Sequence, residues 1–70
     1  MYELQPNERR PGSWRIGDRE LHDGDLIEIL HEERWHVARY EYKLPLREYC
    51  LKLDGKSVAI VPGTKARMFS

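Results

Sequence analysis

The stretch GDLIEILHEERWHVARYEY, from Gly24 to Tyr42, decides the fold of this chain. Residues 26–30 are apolar and partly β-branched, and the His-Asp-Gly-Asp segment in front of them favours a turn, so they predict a short strand. Residues 35–42 contain a Trp, a Val and two Tyr without a sustained helical spacing of apolar residues, which favours a second strand over a helix. The stretch therefore predicts a β-hairpin.

The connection between the two strands determines which side chains face each other. Neither Glu32 nor Glu33 suits the positive φ of a two-residue hairpin turn, so we expect a four-residue loop over residues 31–34. A loop of this length places Leu30 opposite Trp35. The pairing register of the hairpin follows from that match.

This register predicts which face of the hairpin is buried. Ile27 and Ile29 share one face with Ala38 and Tyr40, whereas Arg39 points to water. A shift of one residue would bury Arg39, which is costly for a charge that has no partner. We therefore expect both isoleucines to face inward.

Turn residues divide the rest of the chain into further short strands. Strands are predicted at residues 14–16, 19–21, 48–53, 56–61 and 65–69, with turns at Gly17-Asp18, Asp54-Gly55 and Pro62-Gly63 and a loop around Pro45. We expect five or six of these segments, including the two of the hairpin, to pair as short antiparallel strands, with no helix. This predicts an all-β domain over residues 14–70, either a small barrel or a strongly bent sheet. Residues 1–13, which contain two prolines and a glycine, are predicted to form a flexible N-terminal arm.

The size and charge of the chain limit its function. A domain of this size buries roughly 60% of its unfolded surface, and a deep substrate cavity would leave little core, which argues against an enzyme. Residues 1–33 contain nine acidic and four basic residues, and residues 34–70 contain three acidic and eight basic residues. We expect strand pairing to set the two signs against each other, the alternative being a contiguous basic strip.

The cellular location is predicted from what the sequence lacks. Cys50 is the only cysteine, so an internal disulfide is excluded, and a reducing compartment fits. The chain has no apolar run of membrane-spanning length, and its N-terminus lacks the apolar core of a signal peptide. These features predict a soluble cytoplasmic protein.

The titratable residues do not form a recognisable catalytic or metal-binding motif. His31 and His36 flank the hairpin loop, but a zinc site needs three or four ligands held together. His22, Asp23 and Asp25 fit turn chemistry better than acid–base catalysis, which needs two carboxyls in different environments inside a cleft. We expect no enzymatic activity, no cofactor and no metal.

The hairpin also resembles a known family of small barrels. The motif is Gly24-Asp25-x-Ile27-x-Ile29, a polar loop, and Trp35-x-x-Ala38-x-Tyr40. It resembles the first hairpin of SH3-like barrels, with Tudor and agenet-type domains and short SH3-like domains of bacterial proteins as the nearest matches. The resemblance implies an SH3-like barrel fold.

The Tudor resemblance further implies a cage of aromatic side chains at the rim of the barrel. In that family the cage holds methylated lysine or arginine, because the faces of aromatic rings attract a desolvated cation. Trp35 would supply one wall of the cage, and Trp14, Tyr42 or Tyr49 would supply the others.

The surplus of aromatic residues for so small a core predicts a non-catalytic binding module that contacts a protein partner through an aromatic and basic surface. The candidate binding residues are Trp35, Trp14, Arg39, Arg47 and Tyr42. Trp and Arg are enriched among the residues whose truncation weakens binding most. One alternative is a nucleic-acid-binding accessory protein that uses the basic second half. Another is a small homo-oligomeric structural protein that assembles through an uncovered edge strand or through Leu26 and Val37.

Overall fold

The computed structural model describes residues 2–69, which form eight β-strands and no helix. The strands are β1 (Tyr2–Pro6), β2 (Trp14–Ile16), β3 (Arg19–Glu20), β4 (Leu26–His31), β5 (Arg34–Lys43), β6 (Glu48–Leu53), β7 (Lys56–Val58) and β8 (Lys65–Met68). All neighbours are antiparallel, in one sheet of order β3-β2-β1-β8-β4-β5-β6-β7 that is not closed. The all-β prediction is confirmed, but the expected five or six strands are too few. Within the described range no helix is long and apolar enough to cross a membrane.

One continuous core holds this sheet together. Its buried members are Leu4, Ile16, Leu21, Ile27, Ile29, Ala38, Tyr40, Leu51, Leu53 and Ala66. They come from all strands except the end strands β3 and β7, together with Leu21 just after β3, so the sheet bends around a single core. The predicted inward face of the first hairpin is confirmed, because both isoleucines, Ala38 and Tyr40 are buried. Val58 of β7 lies outside this core, since 37% of its surface is exposed.

The β4–β5 hairpin has the predicted register but a shorter loop. Leu30 pairs with Trp35, as expected, and the pairing continues to His31 and Arg34. The turn is therefore the two residues Glu32 and Glu33, at φ 51° and 64°. The predicted four-residue loop is wrong. The right-handed twist of the two strands favours a primed turn, although its central positions suit Asn and Gly better than Glu.

Replacing both turn residues is expected to stabilise the protein. The double variant Glu32→Asn/Glu33→Gly should raise the free energy of unfolding by about 1 kcal/mol, because both new residues tolerate positive φ. Urea unfolding followed by circular dichroism measures the change. Glu8→Gly in an exposed loop is the control and should bring no gain. An unchanged or lower stability of the double variant would mean that the two glutamates are not strained.

The predicted flexible arm is wrong for the residues that the structure describes. β1 pairs with both β2 and β8. Leu4 is completely buried, its N–H donates to the carbonyl of Thr64 (2.8 Å), and its carbonyl accepts from the N–H of Gly63 (2.9 Å). The loop that follows is fixed too, because the Asn7 amide donates to a Glu20 carboxylate oxygen at 2.9 Å. Met1 of the predicted arm and Ser70 of the predicted domain lie outside the described residues.

The segment before β4 is the turn that the sequence predicts. Gly24 has φ 95°, which an L side chain rarely adopts. The Asp23 carboxylate accepts from the N–H of Tyr42, and the Asp25 carboxylate accepts from the N–H of His22, each at 2.9 Å. Both carboxylates therefore fasten backbone at the turn.

Candidate binding surfaces

The structure separates the predicted binding residues into two groups. Trp35 and Arg39 lie on the side of β5 that points away from the core, because they alternate with the buried residues of that strand. Trp14 packs against the core from the opposite side of the sheet. Tyr42 and Arg47 lie at the far end of β5 and in the loop after it. The structure therefore does not bring Trp35 together with Trp14, Tyr42 or Tyr49, as an aromatic cage would require.

The first surface, called the outer face below, is the core-distant side of β8, β4 and β5. It consists of Leu26, Glu28, Leu30, Trp35, Val37, Arg39, Arg67 and Phe69. Leu26, Val37 and Phe69 are large apolar residues that are 45%, 44% and 45% exposed. Phe69 lies beside Leu26, since its N–H points to the Leu26 carbonyl at 3.4 Å. Single exposed apolar residues are ordinary, but adjacent ones on one face are typical of an interaction site.

Trp35 is held in place at one end of this face. The Arg67 guanidinium lies 3.9 Å from the centre of the Trp35 ring, as in a cation–π contact. Glu28 fixes that arginine, because its carboxylate oxygen accepts a hydrogen bond from Arg67 Nε at 3.0 Å. Trp35 thus presents a fixed ring whose one face is already occupied by an arginine.

Charged residues of the outer face lie beside one another and beside Glu41 and Lys52, which border it. Glu28 pairs with Arg67, and Glu41 lies 3.9 Å from Arg39. The exception is the cross-strand pair of Arg39 and Lys52, where two cations are neighbours. Strand pairing therefore sets Glu28 against Arg67 as expected, but Arg39 lies opposite Lys52 and not opposite an acidic residue.

The second surface is a groove of about 400 Å³ beside the outer edge of β6, called the edge groove below. Among its lining residues are Trp14, Lys43, Leu46, Tyr49, Ser57 and Ile60. The groove exists because β7 ends at Val58 while β6 extends back to Glu48. Trp14 and Tyr49 supply its aromatic walls, and Lys43 donates a hydrogen bond to the Ser57 hydroxyl at 2.7 Å on its rim.

Tyr40 positions both aromatic walls of the edge groove. The Tyr49 ring stacks on the Tyr40 ring with 4.5 Å between centres, and Tyr42 meets Tyr49 edge-on at 4.9 Å. The Tyr40 hydroxyl accepts a hydrogen bond from the backbone N–H of Trp14 at 3.0 Å. Burial raises the pKa of Tyr40 well above its usual range, so the buried hydroxyl stays neutral. The walls therefore rest on one rigid side chain.

Two predicted residues lie near the edge groove without lining it. Tyr42 is 43% exposed and contacts the groove only through Tyr49. Arg47, at φ 57°, donates its backbone N–H to the Lys43 carbonyl at 2.8 Å in the loop that also carries Leu46. Sequence reasoning overlooked Leu46, Ser57 and Ile60 as lining residues. Pro45 was a signal for Leu46 alone, because it indicates that this loop stands away from the sheet.

The histidines lie apart from both surfaces. The rings of His31 and His36 are 5.9 Å apart in an edge-on arrangement. Within residues 2–69 no group of three or more His, Cys, Asp or Glu is placed to hold a metal ion. Cys50 is buried, so its thiol behaves as a small apolar group.

Comparison of the chain with protein-family models, with curated proteins and with solved structures finds no match. The function therefore has to be inferred from the outer face and the edge groove.

Proposed function

We propose that this protein is a non-catalytic binding module that docks a protein partner on its outer face. The observation that carries the proposal is that exposed Leu26, Val37 and Phe69 lie on one face together with the Trp35 ring. An apolar centre with an aromatic residue and an arginine at its side is the composition of the central part of protein interfaces.

The expected gain from docking on this face is large enough for a specific contact. Complete burial of a Leu, Val or Phe side chain contributes about 1.5–3 kcal/mol relative to full exposure. Leu26, Val37 and Phe69 are already about half-covered, so a partner that buries the rest gains about 3 kcal/mol from them together. Trp35 adds to this at a smaller cost in conformational freedom, because the Arg67 guanidinium already contacts its ring.

A protein partner fits the charges of this face better than a nucleic acid does. Glu28 and Glu41 lie beside Arg67 and Arg39, and their carboxylates would repel phosphates. Nucleic-acid domains usually present a clear basic excess on one surface, whereas this chain has zero net charge.

We also propose that the fold is an SH3-like small barrel whose end strands β3 and β7 do not pair. Supporting features are the Gly24-to-Tyr42 hairpin, with its glycine turn and inward isoleucines, and a bent antiparallel sheet around one core. Both are general properties of small barrels, so the proposal concerns architecture and implies no particular ligand.

Polar substitution of the outer face is expected to abolish partner binding. In Leu26→Thr/Val37→Thr, Thr keeps the β-branched shape that strands favour but removes most of the apolar surface. Proteins retained from the source cells by the wild-type chain should be depleted at least about tenfold by the variant. Leu44→Thr changes a 70% exposed loop residue and is the matched control. Equal retention by a folded double variant would contradict the proposal.

A second copy of the chain is the other occupant that this apolar face favours, because a self-complementary patch is the usual basis of a two-fold dimer. Light scattering over a concentration series separates the two cases. A dimer that the same double substitution dissociates would identify the outer face as a homodimer interface.

A further inference from the structure

The backbone of Tyr49 carries a donor and an acceptor that face the edge groove. The backbone N–H of Tyr40 donates to the carbonyl of Asp25, so the backbone groups of Tyr40 point to the β4 side of β5. Backbone groups alternate in direction along a strand, and the pairing of β5 with β6 therefore fixes their direction at each residue of β6. Glu48 and Cys50 therefore bond to β5, whereas Tyr49 points its N–H and carbonyl to the other side. That side is the one where β7 pairs with β6 further along the strand.

The described part of the chain does not supply a hydrogen-bonding strand residue opposite the Tyr49 backbone. Leu51 and Leu53 pair with Val58 and Lys56 of β7, but the pairing stops there, and Ile60 is not opposite Tyr49 in the ladder. No backbone or side-chain group in residues 2–69 forms a hydrogen bond with the N–H or the carbonyl of Tyr49. A strand edge with a free donor and acceptor is a template for another extended chain.

The chemistry of the edge groove restricts what can pair with this edge. The walls around Tyr49 are aromatic and aliphatic, from Trp14, Leu46 and Ile60. Lys43 on the rim donates to Ser57. Glu48 lies opposite Lys43 in the β5–β6 ladder and also lines the groove, but among the described residues no carboxylate lies within 4.0 Å of the Lys43 ammonium group. A matching ligand therefore has an adjacent backbone donor and acceptor, an apolar side chain, and a negative charge.

We propose that the edge groove binds an extended peptide segment of a partner protein, which adds to the edge of β6 at Tyr49. One peptide residue exchanges two hydrogen bonds with Tyr49, and the next apolar side chain enters between Trp14 and Tyr49. An acidic residue of the peptide reaches Lys43. This site lies away from the outer face, so it is a second binding site beyond the function proposed above.

A slim peptide fits the edge groove better than the sheet edge of a second copy. The loop over residues 44–47 stands beside Tyr49, and its Leu44 and Leu46 are 70% and 66% exposed. A symmetric pairing of two β6 edges would bring two such loops together and place two Lys43 cations near each other. The shape and charge therefore favour a single acidic, apolar peptide strand.

The test is selection from a phage-displayed library of random ten-residue peptides against the full chain, followed by synthesis of the enriched peptides. We expect enriched peptides that alternate apolar residues and contain Asp or Glu. In ¹⁵N-labelled protein they should shift the amide signals of Tyr49, Ile60 and the Trp14 indole. N-methylation of the peptide residue opposite Tyr49 should weaken binding at least about tenfold, because one hydrogen bond is lost and the methyl group obstructs the other.

Two protein variants locate the site. Lys43→Glu should weaken binding of the acidic peptides about five- to tenfold, since an attractive charge becomes repulsive. The outer-face variant Leu26→Thr/Val37→Thr should bind them as the wild type does, so failure of the outer-face proposal and failure of this one are distinguishable. No enriched peptide, equal binding of the N-methylated form, or shifts confined to the outer face would each overturn the edge-groove proposal. Dimerisation through Tyr49 in light scattering would overturn it as well.

Discussion

Tyr40→Ala is expected to lower the free energy of unfolding by about 4 kcal/mol, as removal of a fully buried aromatic side chain does. Tyr40 is among the largest completely buried side chains in the structure. Its ring supports Tyr49, and its hydroxyl accepts from the N–H of Trp14. Since small domains are stable by only about 5–15 kcal/mol, the variant is expected to unfold at a much lower urea concentration. Circular dichroism during urea titration measures the shift.

Two further variants divide this effect into its causes. Tyr40→Phe keeps the ring and removes the acceptor for the Trp14 N–H, so it should cost about 1–2 kcal/mol. Tyr42→Ala removes a half-exposed tyrosine two positions along the same strand and should cost less than Tyr40→Ala by at least about 2 kcal/mol. If Tyr40→Ala were no more destabilising than Tyr42→Ala, the bent sheet would not depend on this side chain.

The match of Leu30 with Trp35, together with the alternation of side chains along β4 and β5, predicted the register and the inward face. The alternative register would have buried Arg39, and the free-energy cost of an unpaired charge excluded it. The turn was not predictable from residue preferences alone. Glu32 and Glu33 each disfavour positive φ, but the twist and pairing of twelve strand residues around them impose it.

The sequence predicted which types of residue form the binding surfaces, but not where in the fold those surfaces lie. The sequence identifies Trp14, Trp35 and Tyr42 as surplus aromatics, and alternation correctly puts Trp35 and Arg39 on the same face. Which side of the sheet Trp14 lies on depends on how β2 packs across the core, a contact between distant parts of the chain. The edge groove depends on where β7 ends, and the sequence of β7 alone does not mark that point.

The N-terminal strand shows the limit of local patterns most clearly. Pro6, Pro11 and Gly12 favour turns, and Tyr2 and Leu4 are too few apolar residues to indicate a strand. The neighbours of β1 are β2 and β8, and β8 is more than sixty residues away in the chain. A strand whose partner is this distant is recognisable only after the sheet is assembled.

Leu4→Ala is therefore expected to destabilise the whole domain, by about 3 kcal/mol, as Leu→Ala does at fully buried sites. Leu4 is completely buried among core residues of the sheet, and its backbone bonds to Gly63 and Thr64 tie the two ends of the chain together. Leu44→Ala, at an exposed loop position, is the matched control and should change stability by less than about 0.5 kcal/mol. Urea unfolding of both variants measures the difference. Equal stabilities would mean that residues 2–6 are a dispensable arm, whereas the expected difference makes β1 an integral strand that covers the core between β2 and β8.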